Sequence, residues 1–396
     1  SGHVPHQVNA AALSITQATE AGTIYRVEEI QGLERAVAAG PSVWVANHRG
    51  FMDGLLLLGL APGTGVVIKA RDGLPLVSYL SLPIASDPDG DGVPDKALPM
   101  VLFVHGGPWA RDTWGLNPTH QWLANRGYAV LSVNFRGSTG FGKKFTNAGD
   151  KEWAAKMHDD LLDAVKWAVD SKVAADKQVA IMGGSYGGYA TLVGLTFTPD
   201  AFACGVDIVG PSSLLTLLNS IPPYWAPMLE MFAKRVGDPR TEEGKKLLIS
   251  RSPLSRVDAI KKPLLIGQGA NDPRVPRSES DQMVAGARSR GVPIAYVVFP
   301  DEGHGFAKLS NRLLFSDRMV KFLDRTKVLD PDEMDIRLDR FRFEAQISAR
   351  LAGRTNHTVA VHDAGIHRDI PYLVMEYAPG RTLDDLVAEK GPLDPS

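Results

Sequence analysis

Cysteine is almost missing from this chain: of 396 residues only Cys204 carries a thiol. No intrachain disulfide can form, and oxidising and reducing compartments both stay open. Long apolar runs are missing too. The richest early stretch, "GLLLLGLAPG" at 54–63, is too short and too glycine-broken to span a bilayer. Charge of one sign is not in excess either, with 43 Lys+Arg against 45 Asp+Glu and a net charge of -2. That balance offers no basic stripe for nucleic acid and no acidic tail for a charged partner. The opening "SGHVPHQVN" has neither the charged start nor the apolar core of a signal peptide, so a soluble chain is expected. No internal repeat of fixed period is visible.

What is present is a regular alternation between about 98 and 325. Short β-branched runs ("MVLFVH", "YAVLSVNF", "QVAIMG", "CGVDIVG", "PLLIGQG", "IAYVVFP") are separated by longer segments of helical period. In "EWAAKMHDDLLDAVKWAVDS", Met157, Leu161, Ala164, Val165 and Ala168 recur at three- and four-residue steps on one face. Continuous apolar strands between amphipathic helices predict an α/β fold, a mostly parallel sheet with helices on both faces and short flanking segments. Breaks at 61–65, 83–94 and 329–333 divide the chain into 1–70, a central domain over 71–327, and 328–396.

"MGGSYGGYATL" carries the chemistry. Gly183-Gly184-Ser185-Tyr186-Gly187 fits G-x-S-x-G between an apolar strand and a small-residue helix start. A serine on so sharp a strand-to-helix turn needs glycine-sized neighbours, and it gains a helix N-terminus beside its oxygen. Alone, the motif is equally a glycine-rich turn with an incidental serine. Its partners in this order are an acid and then a histidine, each on a loop after a later strand. "PLLIGQGANDPRVP" delivers Asp272 and "AYVVFPDEGHGF" delivers His304. His304 would then be the base toward Ser185, with Asp272 holding its tautomer. Backbone N–H groups of Tyr186 and of the Gly106–Gly107 turn in "VLFVHGGPWA" are the expected oxyanion donors.

Residues 71–325 thus resemble the catalytic domain of the prolyl oligopeptidase family, on its dipeptidyl-peptidase and acylaminoacyl-peptidase side. The motifs carrying the resemblance are "HGGPWARDTWG", "GYAVLSVNFRGSTGFGK", "MGGSYGGYATL", "GANDPRVP" and "FPDEGHGF". It implies an α/β-hydrolase fold, a Ser185–Asp272–His304 triad, no organic cofactor, and short, acylated or proline-containing peptides as substrates. It also implies that Arg274, beside Val275, holds a substrate carbonyl, a role an Arg fork suits, though a surface ion pair is the equal alternative. Tyr224 and Trp225, in "NSIPPYWAPMLEMF", are candidates for the side-chain pocket or plain core. The family's N-terminal β-propeller has no counterpart in the roughly seventy residues ahead of "RDGLPLVSYLSLP", which are too few for two blades of about forty.

Three other segments qualify this picture. "SDPDGDGVPD" spaces Asp87, Asp89, Asp91 and Asp95 like a calcium loop, but Leu98 stands where a bidentate Glu belongs, so a solvated acidic turn is the rival reading. Residues 28–80 resemble the first block of lysophosphatidate-type acyltransferases, with His48 and Asp53 as H-x-x-x-x-D, but no Glu-Gly-Thr segment follows. Residues 339–391 resemble part of a bacterial Ser/Thr kinase small lobe, with Glu344 as the ion-pairing glutamate. They contain no glycine loop or catalytic loop, and Val374 stands where "HRD" would need an asparagine. Both flanks are expected to be non-catalytic parts of a composite chain. The expected function is serine hydrolysis of peptide bonds; a carboxylesterase, a His48-dependent acyltransferase and an inactive composite are the alternatives.

Overall fold

The computed structural model describes residues 64–326, apart from 89 and 222–225, and the backbone of 361–367 and 370–375. One compact unit spans Pro62–Met334. Its strands are β1 (Thr64–Lys69), β2 (Pro75–Ser81), β3 (Leu98–Val104), β4 (Ala129–Val133), β5 (Ala174–Gly184), β6 (Cys204–Ile208), β7 (Leu264–Gly269) and β8 (Ile294–Phe299). They form one sheet in the order β1-β2-β4-β3-β5-β6-β7-β8. β1 and β2 make an antiparallel hairpin, β2 also runs antiparallel to β4, and every pairing from β4 to β8 is parallel.

The apolar runs read from the sequence are the six parallel strands. Alternation along them explains why continuous hydrophobicity is needed. Met100, Leu102 and Val104 of β3 belong to one core layer and Val101 to the other. A strand covered on both faces needs apolar side chains on both, and the polar ones kept there, Ser132, Asp207 and Gln268, are buried and hydrogen-bonded.

The helices that matter to the site are α1 (Pro118–Ala124), α2 (Lys156–Asp170), α3 (Tyr186–Phe197), α4 (Ala226–Arg235), α5 (Arg277–Arg288) and α6 (Leu309–Arg325). Met157, Leu161, Ala164 and Ala168 of α2, residues of α3, and Met283, Val284 and Ala287 of α5 pack into the first layer. Leu123 of α1 and Phe315, Met319 and Leu323 of α6 pack into the second. Helices therefore cover both faces, as the periodicity predicts. α1 is capped by Asn117, whose side-chain oxygen accepts from the Thr119 and His120 amides. No helix among the described residues is long and apolar enough to cross a membrane.

Two boundaries differ from the sequence reading. The sheet begins at Thr64 rather than after residue 70, because Ile68 is buried against the core while β1 zips along β2. The helix expected from residue 152 starts only at Lys156. Lys151 and Ala154 take positive φ values of 60° and 50°, which turns the buried Trp153 ring between Tyr186 and Tyr189 instead of along the helix.

A separate antiparallel hairpin, β9 (Val361–His367) with β10 (Ile370–Met375), lies in the other unit, with a register irregularity between Val374 and Met375.

Candidate active site

Ser185 sits between β5 and α3 with φ 57° and ψ -114°, a conformation that costs a non-glycine residue of order 1–3 kcal/mol and persists only where surroundings enforce it. Those surroundings are visible. The Ser185 amide donates to the Ile208 carbonyl at 2.8 Å, and its own carbonyl accepts from Tyr189 at 3.0 Å. A Cβ on Gly183 would fall 2.7 Å from the Gly187 backbone, and one on Gly187 would collide with the Val104 carbonyl. The two outer glycines of the motif are thus required by strand–helix contact. One position further on, a Cβ on Gly188 would meet Gly210 of the neighbouring loop at 2.8 Å.

Asp272 and His304 stand beyond the ends of β7 and β8, and Ser185 beyond the end of β5. All three follow the carboxyl ends of parallel strands in one sheet. The acid and the histidine meet directly: His304 Nδ1 lies 2.8 Å from Asp272 Oδ2, with both side chains largely buried. Because a carboxylate only accepts, Nδ1 carries the proton and Nε2 is left with its lone pair. The other Asp272 oxygen, Oδ1, accepts the backbone amides of Arg274 (2.8 Å) and Val275 (2.9 Å).

The backbone zips these two loops together. Ala270 N–H donates to Phe299 O and Asn271 N–H to Glu302 O, each at 2.9 Å. Glu302 closes the histidine loop from the other side, accepting the Ala307 and Lys308 amides (2.9 Å each) and Asn311 Nδ2 (2.8 Å). The Asn311 bond is the main cause that holds its carboxyl below the usual range. Sequence reasoning passed over Glu302, although it lies inside the quoted "FPDEGHGF".

The Gly106–Gly107 turn passes beside Ser185. A Cβ on Gly106 would lie 3.5 Å from Ser185 Cβ, and Gly107 has φ +116°, where a Cβ would press within 2.7 Å of the Trp109 amide. Of the expected donors, Gly106 lies against Ser185, and Tyr186 follows it at the start of α3.

Beside this turn runs an aromatic wall that the sequence did not single out. The Trp109 and Phe232 rings are 5.4 Å apart, and Trp153 meets Tyr186 edge-on at 4.7 Å. Phe232 lies on α4, which begins immediately after Tyr224 and Trp225. Those two residues lie outside the described residues, as do His48, Asp53, Asp89 and Glu344.

Of the side chains expected to bind substrate, Arg274 is exposed and Val275 is buried, and both contribute backbone amides to Asp272. In the acidic turn, Asp87 accepts from the Asp91 and Gly92 amides and Asp91 from the Val93 amide. The Asp95 amide closes back on Ser86 O. Among the described residues no cluster of His, Cys, Asp or Glu is placed to hold a metal ion.

Three buried acids tie neighbouring elements of the sheet unit together. Asp160 of α2 holds Arg136, which also reaches Asp72. Glu279 of α5 gathers the Ser212 and Ser213 amides, and burial raises its carboxyl. Asp207 of β6 accepts from the Gly210 amide at 2.8 Å, and burial pushes its carboxyl up to about 8.

An eight-stranded, mostly parallel sheet with a serine on a positive-φ strand-to-helix turn, followed by a bonded Asp–His pair, defines an α/β-hydrolase fold. The chain belongs to the prolyl oligopeptidase family, whose model matches residues 114–328. It is 66% identical over 264 residues to dipeptidyl aminopeptidase BIII of Pseudoxanthomonas mexicana, covering 67% of this chain and 38% of that protein. It is 51% identical to dipeptidyl peptidase family member 6 of Caenorhabditis elegans, over 66% of this chain and 37% of that one. Among solved structures, a puromycin-hydrolysing peptidase of Mycobacterium tuberculosis superposes with a TM-score of 0.61 at 29% identity, over 68% of this chain and 39% of its own. The chain therefore spans well under half the length of the relatives it matches.

Proposed function

We propose that this chain hydrolyses amide bonds of short peptides through an acyl-enzyme on Ser185. The observation that carries the reading is the Asp272–His304 pair, whose Nδ1–H bond leaves Nε2 to act as the base, at the carboxyl ends of the parallel strands where Ser185 also sits in a strained turn. Ser185 Oγ attacks the carbonyl carbon while His304 Nε2 takes its proton, and Asp272 stabilises the imidazolium. The Gly107 and Tyr186 N–H groups receive the oxyanion. His304 then gives the proton to the departing amine, and a water, activated by the same nitrogen, releases the acid and restores Ser185.

The named peptidases among the relatives support an amino-acyl or dipeptidyl amide as the substrate class. The Trp109–Phe232 wall suits an apolar side chain beside the bond. We read the exposed Arg274 guanidinium as the partner of a substrate carbonyl, a role its planar fork suits. This chemistry uses side chains, backbone N–H groups and water, with no role for calcium at the acidic turn. The segments resembling an acyltransferase and a kinase are read as non-catalytic.

Labelling with a fluorophosphonate probe tests the central claim: one adduct on Ser185 is expected, and none in Ser185→Ala. Comparing an amino-acyl anilide with the matching nitrophenyl ester tests the bond class. Turnover of the ester alone would refute peptide hydrolysis and leave an esterase.

A further inference from the structure

Arg235 is the last residue of α4, and its contacts reach the segments that build the aromatic wall. Its Nη1 donates to Asp150 Oδ1 at 2.7 Å and reaches Asn147 Oδ1 at 3.4 Å. Its Cζ stands 5.9 Å from the centre of the Trp109 ring, within range of a cation–π contact. Its backbone carbonyl accepts the Lys151 amide at 2.6 Å. The Arg235 and Asp150 side chains are only 25% and 28% exposed, so water and salt screen this pair less than an open surface bridge.

Each contact governs a different ring. Lys151 opens the stretch in which Lys151 and Ala154 take positive φ, and that stretch carries Trp153 to Tyr186. Trp109 follows the Gly106–Gly107 turn, whose first glycine lies against Ser185. Phe232 precedes Arg235 by three residues, on the same face of α4. The three rings meet pairwise: Trp109 and Phe232 at 5.4 Å, and Trp153 with each of them at 6.4 Å. Trp153 is buried, whereas Trp109 and Phe232 are half-buried and present the face that a substrate can touch. A tryptophan on a loop has two soft side-chain torsions, and a planar cation against its ring favours one orientation. We infer that Arg235 is a positioning residue for substrate selectivity, fixing the spacing of Trp109 and Phe232 so that the wall accepts a large apolar side chain beside the scissile bond. It acts through the two rings rather than on the reacting atoms. Asp150 holds the guanidinium in place, and the Lys151 amide ties the end of α4 to the segment that carries Trp153.

This role rests on the Ser185 chemistry proposed above and on the wall lying beside the bond. Steady-state kinetics on two dipeptidyl anilides, glycyl-phenylalanyl and glycyl-glycyl, test it. They are compared for the unaltered chain, Ser185→Ala, Arg235→Leu, Arg235→Lys and Asp150→Asn, with circular dichroism as a check on folding. The unaltered chain is expected to favour the phenylalanyl substrate in kcat/KM by about thirtyfold, the scale on which apolar pockets discriminate. Arg235→Leu is expected to cut that preference about tenfold, through a higher KM for the phenylalanyl substrate with kcat within about twofold. Its rates on the glycyl substrate are expected to stay unchanged. Arg235→Lys keeps a cation for Asp150 and Trp109, and its preference is expected to stay within about threefold of the unaltered chain. Equal losses on both substrates, or an unmoved preference in Arg235→Leu, would overturn the positioning role. An unaltered chain with no preference would overturn the reading of the wall and this role with it. Activity surviving in Ser185→Ala would instead overturn the reading of the nucleophile. Should Arg235→Leu fail to fold, Asp150→Asn decides in its place: a preference lowered about threefold at constant kcat supports the role, and an unmoved preference refutes it.

Discussion

Asp272 has two carboxylate oxygens, and the structure employs each separately: Oδ1 is held by two backbone amides and Oδ2 by His304. That division makes Asp272→Asn a sharp probe. An amide can keep an oxygen toward the Arg274 and Val275 amides only by turning its NH2 toward His304. The imidazole must then flip to the tautomer whose Nε2 carries the proton and can no longer accept one from Ser185. The expected outcome is a drop in kcat of roughly 10⁴-fold with little change in folding, measured as anilide turnover alongside a urea unfolding curve. The nucleophile, acid and histidine were legible as residue types because their neighbours are short-range requirements: glycines around Ser185, a strand before each loop. The contacts of His105 were not legible. "HGG" reads only as a turn, and its imidazole acquires meaning from Ser138 and Phe135, some thirty residues further along.

At the level of elements, the loop after β4 is tied to α2 through Arg136. Its backbone amide and Nε both reach Asp160 Oδ2 at 2.8 Å, and Nη2 reaches Oδ1 at 2.6 Å. Asp160 is wholly buried, and Arg136 nearly so, leaving only the half-exposed Asp72 as an alternative partner. Removing one member of such a pair strands a buried charge, so Asp160→Asn is expected to cost about 3–5 kcal/mol, read from the urea midpoint. The apolar face of α2 was legible in its three- and four-residue steps, and the six parallel strands in their unbroken apolar runs. The non-helical start at 151–155 was not, because helical periodicity continues through Trp153 while its ring is drawn away into the aromatic wall. Nor was the β1–β2 hairpin, since an edge strand with one exposed face carries too few apolar positions to stand out.

For the molecule as a whole, buried titratable groups set how stability depends on pH. His105, His120 and His158 are each pulled down to about 4 by burial, from about 6.5 in an unfolded chain. Between those values the unfolded chain binds protons that the native one excludes. Their contribution is complete above about 6.5 and lost as pH falls toward 4. Asp112 and Asp207 act in the opposite sense. Burial raises them to about 7 and about 8, so the native state keeps protons that the unfolded chain has released above about 4. Their contribution is complete below that value and disappears as pH rises to 7 or 8. Asp207→Asn abolishes one of these terms. Relative to the unaltered chain, its stability is expected to rise by about 2 kcal/mol between pH 6.5 and 8, measured by urea unfolding at both. An unchanged difference would mean that Asp207 is already ionised in the native state.

The amino-acid order by itself determined which segments become buried strands, where the backbone must pass through glycine, and that serine, acid and histidine follow one another on successive strand ends. These properties depend on neighbours within a few residues, through steric limits on φ and ψ and through the period of apolar side chains. Tertiary structure alone decided that Asp272 meets His304 across 32 residues and that Glu302 closes the histidine loop. Asp272 and His304 are distant in the chain, and the Asn311 side chain reaches Glu302 only once the loop folds back, so the packed sheet and its loops set these distances.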